Sequence, residues 1–466
     1  IQGLPTWYEV RVSAAGHLGA RGGTDLMVAM NPQTWDKDVA SIDPGGYLFY
    51  DSSRPIPASR FREDISVLGM PLTQICNSEY SDPRQRQLFK NIIYVGALAA
   101  LLEIELAEIE KLLSEQFRGK DKLIAPNAKA LHIGHDYARE NLDCPIGLRV
   151  RRADNIGDRI FVEGNAAAGL GAVYGGATVC AWYPITPSTS LAEAFTNYCQ
   201  RYRIDKETGR KRYAIIQAED ELASIGIVVG AAWNGARAFT ATSGPGISLM
   251  QEFLGLAYFA EVPAVVFDVQ RGGPSTGMPT RTQQSDILEC AYASHGDTKH
   301  LLLFPANPAE CFELAVQAFD LAEHFQTPVI MLSDLDIGMN DWVIPRLQWD
   351  DANVPDRGRV LSEDMLRQLT AYRRYSDLDA DFVAARTLPG ISPLGAYFTR
   401  GSGHTEGGTY TEDPAEYQKV VDRLANKHAA AAHHMPPAVI ERREGARIGV
   451  VTVGGCDLAV REALHH

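Results

Sequence analysis

Two spacings of apolar residues alternate along the 466 residues. Short β-branched and aromatic runs at 8–12, 25–30 and 47–50 read as strands, and the stretch 91–117 repeats its apolar positions as one face of a long helix does. Residues 1–125 are therefore expected to form an α/β domain, N-terminally incomplete because the chain opens on a Gly-Leu-Pro turn with no element before it. The period breaks from about 119 to 159, where Arg149, Arg151 and Arg152 precede Asp154 and Asn155. A solvated linker is predicted over 126–159. A strand at 160–163 and strand–helix units at 213–217, 236–242, 264–268, 300–304 and 328–333 then predict a doubly wound parallel sheet over 160–340. From 341 to 445 the pattern loosens into a Pro-, Gly- and charge-rich connector with one clear helix at 414–433. A β-branched strand at 447–453, ending in Gly454 and Gly455 ahead of a helix, opens a further α/β domain at 446–466, cut short by the end of the chain.

Composition narrows the possibilities. A hydrophobic share of 45% and a charged share of 22% are those of a globular protein, long enough to need more than one core. The balance of 58 acidic against 44 basic residues leaves a net charge of −14, which repels nucleic acid and anionic lipid. The longest apolar run, 92–102, is about half of the roughly 20 residues a spanning helix needs, and Glu103 and Glu105 interrupt it. The first ten residues carry no basic and apolar signal pattern, so a cytoplasmic protein is expected. The seven cysteines contain no CxxC pair, so no metal or iron–sulfur cluster is expected on this chain alone.

The chemistry-bearing residues gather in the predicted sheet domain. Gly164 to Gly176 lacks GxGxxG spacing and reads as close helix-on-sheet packing rather than a nucleotide loop. In Tyr183-Pro184-Ile185-Thr186-Pro187-Ser188-Thr189-Ser190 two prolines fix the backbone after a strand and leave hydroxyls at a crevice, with Ser188 or Thr189 equally able to cap the next helix. Glu219, Asp220 and Glu221 open a helix, where acids are favourable in any case. Thr240 to Gly246 is a turn of small residues that a ligand or a neighbouring chain can approach closely. Arg271, Ser275, Thr276 and Arg281 lie in a Gly/Pro-rich loop after a strand, where a guanidinium can pair bidentately with a carboxylate. His404 and Glu406 sit on a glycine-rich loop that could close over such a site. His428, His433 and His434 lack metal spacing, and Asp334 with Asp336 reads as a strand-end turn.

The segment YPITPSTS resembles the signature of the 2-oxoacid:ferredoxin oxidoreductase family, and the likeness runs on through QAEDELASIGIVVGAAWNGARAFTATSGPGISLM and FDVQRGGPSTGMPTRTQQSD. The flanking GSGHTEGGTYTEDP and IQGLPTWYEVRV look most like its 2-oxoglutarate branch. The resemblance implies an alpha subunit with a fused gamma domain over 1–125, where GHLGARGG (16–23) reads as a glycine-rich hairpin. It further implies a pyrimidine-binding domain for thiamine diphosphate over 160–340 and the start of a transketolase-C-like domain at the end. Glu221 is then the catalytic acid that hydrogen-bonds the aminopyrimidine ring. Pro184, Ile185 and Thr186 line the cofactor with Glu221, Thr186 is the second catalytic residue, and Thr186, Arg271 and Arg281 bind the substrate. The implied partner is a beta subunit carrying the diphosphate site, Mg²⁺ and a [4Fe-4S] cluster, in an αβ or (αβ)₂ assembly that delivers electrons to ferredoxin and an acyl group to coenzyme A. The substrate is 2-oxoglutarate on this reading, with pyruvate and branched-chain 2-oxoacids as alternatives. A nucleotide-dependent dehydrogenase and a non-catalytic scaffold subunit are the rival classes.

Overall fold

The computed structural model describes residues 5–17, 19 and 21–466. They divide into two compact units, one up to Asn155 and one from Ile156 to His466, the latter also taking in His17 and Gly19. Of the predicted N-terminal features, Gly3 and Leu4 of the opening turn and Leu18 and Ala20 of the glycine-rich hairpin lie outside the described residues.

In the first unit a parallel sheet of three strands runs in the order β1 (Thr24–Ala29), β2 (Ile42–Asp51), β3 (Ser66–Met70). Helix α1 (Trp35–Ala40) links the first two strands, and α2 (Leu72–Glu79) follows the third. No strand forms at 8–12, where Tyr8, Val10 and Val12 are exposed and their alternation has no sheet to bury it. The long helix expected at 91–117 is two helices, α3 (Pro83–Leu101) and α4 (Leu106–Gln116). α3 starts on Asp82, whose carboxylate accepts from the Arg84 N–H at 2.9 Å ahead of Pro83. It stops where Glu103 takes a φ of 55°, with Ile104 N–H returning to Ala99 O at 2.9 Å and Glu103 N–H to Ala100 O. This is the left-handed helix stop usually made by glycine.

The predicted linker is corrected at its first half, because α5 (Asp121–Asn141) is a 21-residue helix packed along α3. A Cβ at Gly96 would run into the Leu131 carbonyl oxygen, and one at Gly134 into that of Ile93. The two backbones therefore touch, and Ile93, Ala97, Ala130 and Ala138 close the core beside them. Only the stretch after Asn141 is irregular.

The second unit is built on a six-stranded parallel sheet. In chain order its strands are β5 (Val179–Trp182), β6 (Ala214–Gln217), β7 (Ala238–Thr242), β8 (Ala264–Gln270), β9 (Leu301–Leu303) and β10 (Pro328–Asp334). In space they run β6-β5-β7-β8-β10-β9. The strand expected to open this sheet, β4 (Ile160–Glu163), instead pairs antiparallel with β11 (Asp341–Ile344) in a separate ladder. The central strands are apolar on both sides, as sheets covered by helices on both faces must be. Val265 and Phe267 of β8 face α6 (Gly164–Tyr174), α7 (Thr189–Tyr202) and α11 (Pro308–Phe325). Ala264 and Val266 face α8 (Glu221–Trp233) and α9 (Gly244–Phe259). The glycine-rich stretch from Gly164 is helix α6, and its glycines serve helix-on-helix rather than helix-on-sheet packing. Gly171 leaves room for the Phe312 carbonyl of α11, and Gly169 for the backbone of α7.

The segment after β11 is bound to this sheet domain by buried ion pairs. Glu261 meets Arg423 and Lys427 of α14 (Pro414–Ala431), and Glu323 meets Arg237, Arg357 and Arg386. The strand expected at 447–453 does not form: Ile448 and Val451 are exposed, and a short turn at Gly454–Cys456 leads into α15 (Asp457–His465). No helix of the described residues is long and apolar enough to cross a membrane.

Candidate active site

The chain passes from β5 outward to β6, then back across to β7, so the strand order reverses between the carboxyl ends of β5 and β7. Parallel sheets of this kind bind ligands at such a crevice. Four turns meet around it.

The turn after β5 holds Thr186. Ile185 O accepts from the Ser188 and Thr189 N–H groups and from both hydroxyls, and buried Asn165 donates from Nδ2 to Pro187 O at 2.8 Å. The Ser188 hydroxyl is spent on that turn and does not cap α7. Capping therefore does not account for this sequence. Pro184 is exposed, and Ile185 and Thr186 are half-buried at the turn.

Three acids competed at the start of α8, and the structure separates them. Asp220 is the helix cap, its Oδ1 accepting from the Ala223 N–H at 2.7 Å; Glu219 is exposed; Glu221 is buried. Gly246 makes the space for Glu221, since a Cβ there would sit 2.8 Å from Glu221 Cγ and overlap the Thr242 hydroxyl. In the same turn the Ser243 hydroxyl is buried with no protein partner.

After β8, Arg271 is buried and spans two turns. Its Nη1 donates to Thr186 O at 2.7 Å and its Nη2 to Thr276 O at 2.9 Å, while Nε is buried without a partner. Burial lowers the guanidinium pKa, opposed by the nearby charges of Asp286 and Glu221. Arg281 is not brought to the same place: its side chain is exposed and donates to its own neighbour, Thr280 O, at 2.8 Å. His404 is not a lid residue. It is fully enclosed, its ring stacked on Tyr375 at 3.9 Å between centroids and tilted against Phe259. Asp334 caps the short helix after β10, accepting from the Ile337 N–H at 3.0 Å.

Sequence reasoning passed over Asp268, Gln270, Asp286 and Cys290, which are buried together behind Arg271. A signal was present in AVVFDVQ, a fully buried strand with a carboxyl in its middle, since such a group is costly unless paired or neutral. Burial and the Asp286 charge push Asp268 well above the usual carboxylate range, and burial raises Asp286 and Cys290 as well.

The arrangement therefore offers a buried carboxyl and an oriented cation to one crevice. Residues 170–364 match the family model described as pyruvate flavodoxin/ferredoxin oxidoreductase, thiamine diphosphate-binding, and residues 1–137 match that of pyruvate ferredoxin/flavodoxin oxidoreductase. The alpha subunit of 2-oxoacid:ferredoxin oxidoreductase 2 from Aeropyrum pernix is 31% identical over the whole of this chain and 78% of its own length. The 2-oxoglutarate synthase subunit KorA of Methanothermobacter thermautotrophicus is 33% identical over 66% of this chain and 77% of its own. Among solved structures, a 2-oxoglutarate:ferredoxin oxidoreductase from Magnetococcus marinus, determined with 2-oxoglutarate, coenzyme A and succinyl-CoA bound, superposes with a TM-score of 0.81 at 32% identity. That match covers 96% of this chain and 75% of the other. Similarity of this extent fixes the lineage: the chain belongs to the 2-oxoacid:ferredoxin oxidoreductase family.

Proposed function

We propose that this chain is the alpha subunit of a 2-oxoglutarate:ferredoxin oxidoreductase. The reaction converts 2-oxoglutarate, coenzyme A and two oxidised ferredoxins to succinyl-CoA, carbon dioxide, two reduced ferredoxins and a proton. The observation that carries this is the presence, at the switch point of the sheet, of buried Glu221 and of a guanidinium, Arg271, held by two carbonyls.

Glu221 fits the aminopyrimidine of thiamine diphosphate, because Gly246 keeps the space around it open and the buried Ser243 hydroxyl nearby has no protein partner. When bound, the cofactor supplies a carbon nucleophile for the 2-oxo group and takes up the electrons released with carbon dioxide. Glu221 holds the proton at the ring nitrogen, which sets the tautomer that ring needs. Arg271 binds the 1-carboxylate of the substrate: both Nη atoms are anchored, so the plane of the fork is fixed before substrate arrives. The Thr186 hydroxyl donates to the same substrate, and Arg281, on the exposed arm of the same loop, is the second cation available to a distal carboxylate.

The seven cysteines are all free and scattered, five of them buried, which favours placing the [4Fe-4S] cluster on a beta subunit; Mg²⁺ and the diphosphate site go to that subunit on the family likeness alone. The test is reduction of methyl viologen or ferredoxin by the co-expressed complex with coenzyme A. Turnover with 2-oxoglutarate and not pyruvate is expected; the reverse preference would overturn the substrate. Glu221→Gln should cut turnover by about 10²–10⁴-fold without loss of the assembled complex. A near-normal rate would leave this chain a scaffold.

A further inference from the structure

Asp268 and Asp286 have no part in that chemistry, yet they are enclosed beside it. Asp268 lies in the middle of β8 with Thr242 of β7 and Leu332 of β10 in register on either side, neither of which titrates. Its Oδ2 accepts from the Cys290 thiol at 3.5 Å, and its Oδ1 has no protein donor. Asp286 Oδ1 accepts from the Ser285 hydroxyl at 3.0 Å, and its Oδ2 has no protein donor either. The two carboxyls lie close enough to act directly on each other's proton affinity. Two carboxylates can bond each other only through a proton, so the pair is stable when one of them is neutral. The ionisable groups around them are Glu289 and Cys290 from the helix at 287–291, Arg271 from the loop and Glu221 from α8. Only Arg271 among these is a cation.

Asp286 is also the point at which the loop begun at Arg271 returns to the sheet. Its N–H donates to Gln270 Oε1 at 3.2 Å, and Gln270 Nε2 in turn holds Ser333 O of β10 at 3.1 Å. Gly244, at the start of α9, leaves the room for the Asp286 carboxylate: a Cβ on Gly244 would lie 2.6 and 2.7 Å from its oxygens. The loop is thus fastened at Asp286 to Gln270 of β8, which in turn holds β10, and packs there against the start of α9.

We propose that the Asp268–Asp286 carboxyl pair is the latch of the loop 271–285, with Asp286 a positioning residue that holds Arg271 in place for the carboxylate of the 2-oxoacid. The substrate part of this rests on the proposed role of Arg271; the latch itself does not. With one proton in the pair the loop is closed. Ionisation of Asp268 sets two buried anions against each other and opens it.

The experiment uses the complex with its partner subunit and reads two quantities: amide hydrogen exchange over 272–285, and KM against kcat for the 2-oxoacid from pH 6 to 10. Asp286→Ala is expected to speed exchange in the loop and raise KM about tenfold or more, with kcat within about threefold of the parent. Asp268→Asn keeps a donor toward Asp286 but cannot ionise. It should retain loop protection and neutral-pH KM, and flatten the alkaline rise in KM expected of the parent. Should Asp286→Ala fail to assemble, Gly244→Ala displaces the carboxylate without removing it and should speed loop exchange in the same way. Unchanged exchange in the Asp286 or Gly244 variant would overturn the latch, as would Asp268→Asn behaving like Asp286→Ala. Faster exchange with KM unmoved would keep the latch and remove Arg271 from substrate binding.

Discussion

Glu261, just past the end of α9, and Asp268, in β8, are both enclosed by the second unit, but they are held in opposite states. Glu261 meets Arg423 and has Lys427 Nζ at 2.8 Å, while Arg374 Nη2 donates to its backbone carbonyl at 2.7 Å. Those cations overcome its burial and keep its carboxyl well below the usual range. Asp268 has a thiol, another acid and no cation in contact, so burial prevails and holds its carboxyl well above the usual range. Burial by itself always favours the neutral acid; the donors brought up by the rest of the chain decide whether that preference survives. The first cluster fastens the segment after β11 to the sheet, and the second lies at the crevice.

The sharpest break of this comparison is Glu261→Gln, which strands two buried cations and should destabilise the protein by about 3–5 kcal/mol in urea denaturation. Asp268→Asn replaces a neutral group with a neutral one and should cost no more than about 1 kcal/mol. Equal losses from the two would mean that Asp268 is charged in the folded protein. The pH dependence separates them further, because the signs are opposite. Glu261, with its folded pKa depressed, stabilises above the unfolded value of about 4.3, and that contribution is lost as pH falls. Asp268, with its folded pKa raised, contributes fully below about 3.9 and progressively less as pH rises toward the folded value. Asp268→Asn should therefore remove a decline in stability, as pH rises above about 4, that Glu261→Gln leaves in place. The smallest effect expected is for Arg281→Ala on stability, within about ±0.5 kcal/mol, since its side chain is exposed.

Strands were legible where a β-branched run was buried on both faces. β8 and β10 begin at the expected residues, and the turns after β5 and β8, which hold Thr186 and Arg271, lie at the carboxyl end of the sheet where the pattern put them. Helices that pack through small residues were not. α5 buries Asn127, Ala130, Leu131, Gly134 and Ala138, a face too poor in large apolar side chains to show as a stripe, with Pro126 reading as a break. The stop of α3 was hidden because Glu103 occupies a left-handed position that carries no glycine to mark it. The apolar alternations at 8–12 and 447–453 failed for the opposite reason: a strand needs a sheet beside it, and no local pattern reports that. The latch acids were hidden because their meeting depends on the loop after β8 returning to that strand, which no local pattern reports.

The Gly96–Gly134 crossing has a bearing on how the first unit can vary. Because each position faces the other helix's peptide oxygen, substitution there is not graded by side-chain size. Even a methyl group must shift one helix against the other along its whole length, so compensation by a single neighbouring residue is not open to it. Drift at these two sites is blocked until the pair is abandoned together, and the helices have to be inherited as one piece.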